Sequence, residues 1–268
     1  MLEFGAVADA HAHDKKTNVP SDMKILISND DGFFAPGLKA LTESLSKFGD
    51  VTVVAPNKDC SGASNSLTLD RPLVVNRHDK NIYSVNGTPA DCVHLAITGL
   101  LNEAPDIVVS GINNGANMGE DTIYSGTVAA AMEGFMLDVP ALALSLTSKH
   151  GAHFKTAAII AADVVADFEL GKFDEKFLLN INVPDVDMGQ LRGTQITRLG
   201  ARHKAHGVVE SKNPRGQKVY WIGAAGEVKD RSDGTDFGSI SNNCVSITPL
   251  QLDLTDTSIG NRYEFLRR

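Results

Sequence analysis

Between Met23 and about Pro184, short apolar runs alternate with segments whose apolar residues fall at helical spacing, and this alternation limits the possible folds more than any other feature. It predicts a mostly parallel sheet flanked by helices, because parallel strands are joined by crossovers that must pack onto the sheet. The expected strands are residues 25–27, 51–55, 106–110, 141–146 and 177–183, with further short strands in 67–85. Helical spacing predicts helices over 36–48, 89–101, 128–135 and 154–168, the second opened by Thr88 as cap and Pro89 as first helical residue. Beyond Asp185 the strand-like pieces shorten (194–199, 218–222, 245–248) and polar loops separate them, which reads as a C-terminal β-hairpin arm. The expected division is therefore an α/β core at 23–185 and an arm at 186–268.

Composition narrows the function classes. With 268 residues, 42% apolar and 22% charged, the chain is neither disordered nor fibrous. A net charge of -8 argues against general binding of nucleic acid or anionic membranes. It also means that an anionic substrate needs a metal ion or a cluster of donors to offset repulsion. Cys60, Cys92 and Cys244 lack zinc or redox spacing and read as free thiols in a reducing, cytoplasmic compartment. No apolar run approaches the eighteen or so residues that span a bilayer. Residues 1–22 lack the basic start and continuous apolar middle of a secretory signal, and Met23 stands directly before the first strand. They are expected to be a leader or disordered tail.

Four polar stretches follow expected strands or open an expected helix. The first strand ends in Asn29-Asp30-Asp31-Gly32, where two adjacent carboxylates need a cation or strong donors if the turn is partly buried. A plain solvated turn fits these residues equally well. The loop after the second strand carries Ser61 among other hydroxyls. Residues 111–119 hold three glycines and three asparagines, including Asn113 and Asn117, which offer neutral oxygens or amide donors. Ser125-Gly126-Thr127 precedes an Ala-rich helix, either as an ordinary cap or as an anion site at the positive end of the helix dipole. In a doubly wound sheet the carboxyl ends of the strands share one edge, so these residues can converge. Together they form an oxygen-only set suited to magnesium or manganese, which points to metal-assisted hydrolysis of a phosphate ester. The loop carrying Arg202, His203, Lys204, His206, Lys212 and Arg215 is locally basic and reads as a solvated surface, with contact to a substrate phosphate as the lesser alternative.

The stretches Ile-Leu-Ile-Ser-Asn-Asp-Asp-Gly-Phe-Phe-Ala-Pro-Gly, Ser-Gly-Ala-Ser-Asn-Ser-Leu-Thr, Val-Ser-Gly-Ile-Asn-Asn-Gly-Ala-Asn-Met-Gly and Tyr-Ser-Gly-Thr-Val-Ala-Ala-Ala-Met-Glu-Gly, in that order, resemble the survival protein SurE family. Matching motifs continue at 220–223, 234–237 and 245–250. The resemblance implies a Rossmann-like core and a divalent-metal-dependent phosphatase of nucleoside 5'- and 3'-monophosphates, acting in some members on short polyphosphate. It implies one metal ion per subunit, magnesium or manganese with calcium as a stand-in in crystals, held by Asp30, Asp31, Ser61 and Asn113. Asn117, Ser125, Gly126 and Thr127 map to the phosphate side, and Asp30, Asp31, Asn117, Ser125 and Thr127 to catalysis. It further implies a homodimer or homotetramer formed by exchange of the C-terminal arm, with neither nucleic acid nor membrane as partner. One departure is Cys60, where many members carry a basic residue. The rival readings are a phosphoacceptor signalling module and a non-catalytic nucleotide-binding subunit. The first needs an acceptor Asp where this chain has Asn113.

Overall fold

The structure, a computed structural model, describes residues 22–257 and 264–266. All of the expected leader except Asp22 lies outside them. The strands are β1 (Met23–Ser28), β2 (Gly49–Pro56), β3 (Val75–Asp79), β4 (Ile82–Val85), β5 (Ile107–Asn114), β6 (Ala141–Leu146), β7 (Leu178–Val183), β8 (Thr194–Ile196), β9 (Ala201–Arg202), β10 (Val209–Lys212), β11 (Lys218–Trp221), β12 (Val228–Asp230) and β13 (Val245–Pro249). The helices are α1 (Pro36–Leu45), α2 (Pro89–Leu95), α3 (Gly126–Met136), α4 (Phe154–Glu169) and α5 (Asp236–Ser241).

Among the described residues nine strands form one sheet in the order β3-β4-β2-β1-β5-β6-β7-β13-β8. The run from β4 to β7 is parallel. β6 and β7 are buried at every position, as expected of parallel strands covered on both faces. One core layer packs Leu38, Leu41 and Leu45 of α1 and Ala157, Ala161 and Val165 of α4 on one face. The other packs Cys92 and Val93 of α2 and Val128 and Ala131 of α3 on the opposite face. Leu144, Leu146 and Ile181 are fully buried, and each such side chain stabilises the fold by about 1.5–3 kcal/mol relative to exposure. The layers make the edge between them rigid enough to hold groups that are themselves unfavourable.

That edge matters because strand order reverses between β1 and β5. The chain steps from β1 outward to β2 and β4, then returns to the other side of β1 to continue through β5, β6 and β7. Ligands in open α/β sheets bind at this switch point, beyond the carboxyl ends of the strands.

Several elements differ from the sequence expectation. β5 continues past Ser110 to Asn114 because, after a register shift, Asn113 and Asn114 pair with Ser145 and Leu146 of β6. The helix opened by Thr88 changes to a π-helical turn at Ala96–Leu100. The segment beyond Asp185 is only partly an arm. β13 pairs antiparallel with β7, and β8 pairs parallel with β13, so both extend the main sheet. The detached part comprises the β10–β11 ribbon and the β9–β12 pair. No helix among the described residues is long and apolar enough to cross a membrane.

Candidate active site

The acidic turn is built by short local bonds. Asn29 Nδ2 donates to the Gly32 carbonyl at 2.9 Å, and Gly32 adopts φ +94, a conformation that side chains disfavour. The amide of Cys60 donates to the Asp30 carbonyl at 2.8 Å, which ties the loop after β2 to the turn. Ser61 is held there by Asp59, whose Oδ1 accepts from its amide at 2.7 Å and its hydroxyl at 2.6 Å. Asp30, Asp31, Ser61, Asn113, Asn117 and Ser125 then line one cavity of about 580 Å³.

Asp30 is buried, 3% exposed, and Asp31 half-buried. Burial pushes Asp30 up to about 6, helped by the Asp31 charge and opposed by the Thr127 hydroxyl and backbone. Burial also raises Asp31, against the Asn114 amide that lowers it. That amide donates to Asp31 Oδ2 at 3.0 Å. Among the described residues no Lys, Arg or His forms an ion pair with either carboxylate. The two adjacent carboxylates therefore lack a cation, a charge imbalance of the kind that a divalent ion relieves.

The neighbouring donors fit the same conclusion. Asn113 Nδ2 donates to the Gly115 carbonyl at 2.8 Å, leaving its carboxamide oxygen available. Ser61 donates its hydroxyl proton to Asp59 and keeps lone pairs for a ligand. Among the described residues there is no cluster of three or more His, Cys, Asp or Glu arranged for a metal. Two carboxylates with a hydroxyl and a carboxamide are hard oxygen donors, appropriate to magnesium, manganese or calcium rather than zinc.

The start of α3 closes the site from the opposite side. Ser125 is the helix cap, its Oγ accepting from the Val128 amide at 3.1 Å, so its hydroxyl proton remains available to a ligand. Gly126 permits close approach, since a Cβ there would stand 2.8 Å from Asp30 Cβ and 3.0 Å from Asp30 Oδ2. Thr127 is fully buried, and its hydroxyl donates to Asp30 Oδ1. It contacts the carboxylate and does not line the cavity.

Sequence reasoning missed the supports beneath Asn117. Asn180 and Asn182, buried on β7, donate to the Asn117 carbonyl at 2.8 and 2.9 Å, while Asn182 Oδ1 accepts from the Asn117 amide at 2.9 Å. Asn117 Nδ2 donates to Ser145 Oγ at 2.8 Å. The available signal was two asparagines at alternate positions of an otherwise apolar strand. Asp59 and Asn114 were also missed, because ordinary loop composition conceals them.

A match to the family described as Survival protein SurE spans residues 25–206. The chain is 62% identical over 237 residues to the 5'-nucleotidase SurE of Methylobacillus flagellatus, covering 88% of this chain and 96% of that one. The 5'-nucleotidase SurE of Nitrosomonas eutropha is 60% identical over 233 residues, covering 87% and 94% respectively. Among solved structures, the SurE protein from Aquifex aeolicus aligns with a TM-score of 0.81 at 40% identity, covering 91% of this chain and all of that one. With the expected oxygen donors gathered at the switch point and a match running through most of the core, the chain belongs to the survival protein SurE family.

Proposed function

We propose that the chain is a divalent-metal-dependent 5'/3'-nucleotidase that hydrolyses nucleoside monophosphates to nucleoside and phosphate. The observation that carries this reading is the uncompensated pair of buried Asp30 and half-buried Asp31 facing the capped start of α3 across one cavity. Relatives about 60% identical over nearly their whole length bear the name 5'-nucleotidase, which favours turnover over passive nucleotide binding or phosphoacceptor signalling.

Asp30, Asp31, Ser61 and Asn113 would hold one ion per subunit, magnesium or manganese. When bound, the ion supplies Lewis acidity toward a phosphoryl oxygen and activation of water. The protein's contribution is placement. Thr127 orients Asp30, the Asn114 amide orients Asp31, and Asp59 holds the Ser61 loop. Ser125 donates to the substrate phosphate, with Gly126 keeping the helix start close and Asn117 bordering the phosphate on the β5 side. Asn117 is held by Asn180 and Asn182 so that it need not reorganise during reaction.

The β10–β11 ribbon exposes Val209, Tyr220 and Trp221, and Ile222 beside it is 90% exposed. Such a ribbon supports assembly into a homodimer or homotetramer by arm exchange, since isolated two-stranded ribbons are marginal in water. The three free cysteines support a reducing, cytoplasmic setting.

The test is phosphate release from a panel of nucleoside 5'- and 3'-monophosphates, with magnesium or manganese and again with chelator. Release that requires the ion is the expected result. Absence of release with every ion and nucleotide would overturn the reading.

A further inference from the structure

The cavity has a charge problem that the residues described so far do not solve. Asp30, Asp31, Asp59 and Asp121 all line it. A divalent ion offsets the first two, and Arg202 pairs with Asp121 at 2.7 Å. A phosphate dianion entering beside Asp59 is still unmatched. The basic side chains on the cavity wall are Lys149 and His150, and both come from the 147–153 loop between β6 and α4. Both are exposed, and neither forms an ion pair among the described residues.

This loop is fastened to the acidic centre through one residue. The backbone amide of Asn114 donates to Asp31 Oδ2 at 3.0 Å. Its side chain grips the loop on both sides of His150, Nδ2 donating to the Lys149 carbonyl and Oδ1 accepting from the Gly151 amide, each at 3.0 Å. The far end is held by Asp185, whose Oδ1 accepts from the Ala152 and His153 amides at 3.0 and 2.9 Å. A loop pinned at both ends places its side chains at lower entropic cost than a loose one. An ammonium is a compact charge with three donors on a flexible stem, suited to a dianion whose position varies between 5'- and 3'-esters.

We propose that Lys149 is the cation that binds the substrate phosphate, and that Asn114 is the positioning residue that couples its loop to the Asp31 side of the site. This rests on the phosphatase reading above but concerns phosphate binding, which is measurable without turnover.

The experiment compares wild type, Lys149→Met, Lys149→Arg, Asn114→Ala and the Lys149→Met/Asn114→Ala pair. Calorimetry gives manganese affinity and then inorganic phosphate affinity of the manganese-loaded protein, and steady-state kinetics gives kcat and KM. Lys149→Met should weaken phosphate binding and lower kcat/KM by roughly ten- to a hundredfold, the range for losing one charged hydrogen-bond donor. Manganese affinity should stay within about twofold, because no ion ligand has changed. Lys149→Arg should restore most of the loss. Asn114→Ala keeps the backbone bond to Asp31, so it should reproduce a smaller version of the Lys149→Met effect and add nothing in the double variant. Unchanged phosphate affinity in Lys149→Met overturns the proposal, whatever the turnover. Fully additive losses overturn the coupling through Asn114. A wild type that binds phosphate through Lys149 yet releases none from nucleotides would sustain this inference while refuting the nucleotidase reading.

Discussion

Asp30 shows how a single residue carries a functional cost in the metal-free fold. Its carboxylate is buried at the end of β1, beside a second carboxylate, and is held by Thr127 while lacking an opposing cation. Asp30→Asn removes the buried charge, and its side-chain oxygen can still accept from Thr127. The variant is therefore expected to lose about 10²–10³-fold in turnover, the range for deleting one preorganised electrostatic group. The metal-free protein should meanwhile gain on the order of 1–3 kcal/mol at neutral pH, from the free-energy scale of a pKa raised to about 6 by burial. Chemical denaturation in chelator reads the stability, and phosphate release with manganese reads the activity. A folded variant with undiminished turnover removes Asp30 from the ion site. That Asp30 and Asp31 fall together in the turn closing a buried strand was legible in the sequence, since the apolar run of β1 gives way there to two adjacent acids. The bond from Thr127 was not legible, because it joins residues 97 positions apart and a Thr in the first turn of a helix fits a cap equally well.

Elements were legible in proportion to how local their causes are. β6 was readable in full because the stretch from Ala141 to Leu146 is apolar except for Ser145, and every one of its residues is buried. The far end of β5 was hidden because Asn113 and Asn114 pair there only through β6, after a register shift across Gly111 and Ile112. α5 was missed since its six residues are short and largely polar, and its cap, the Thr235 hydroxyl accepting from the Gly238 amide, is a weak signal alone. α2 illustrates the readable case. Thr88 accepts from the Asp91 amide at 3.0 Å while Asp91 Oδ2 accepts from the Thr88 amide at 2.8 Å. Thr68 adds bonds from its amide at 2.8 Å and its hydroxyl at 2.5 Å. Burial pushes the Asp91 carboxyl up, but the Thr68 and Thr88 bonds prevail and hold it below its usual range. A depressed carboxyl stabilises the fold above its unfolded value of 3.8 and loses that contribution as pH falls through the folded value. Asp91→Asn should thus cost about 1–2 kcal/mol at pH 6–8. The gap from wild type should narrow below about pH 4, as followed by urea unfolding across pH. A gap independent of pH assigns the loss to packing instead.

For the whole molecule, the instructive feature is where the arm leaves and re-enters. The amide of Arg198 donates to the Gly234 carbonyl at 2.9 Å, and the Asp236 amide donates to the Arg198 carbonyl at 3.0 Å. β9 and β12 pair antiparallel just beyond, and the His203 amide donates to the Glu227 carbonyl at 2.8 Å. Replacing residues 204–226 by a short turn should therefore close a hairpin, leave β13 in the sheet and yield a folded monomer. Light scattering coupled to size exclusion decides this, with the intact chain expected as a dimer or larger across concentrations. An intact chain that stays monomeric throughout rejects arm exchange. The return of β13 beside β7 could not be foreseen, because it depends on which sheet edge stands open after the core has assembled. Because departure and return share one doorway, the length of the excursion is nearly invisible to the sheet, closure costing only a slowly growing entropy as residues are added. The excursion and the sheet edge that holds the site can then diverge separately. A lineage can lengthen, trim or re-partner the segment beyond Arg202 while the switch point between β1 and β5 is inherited unchanged.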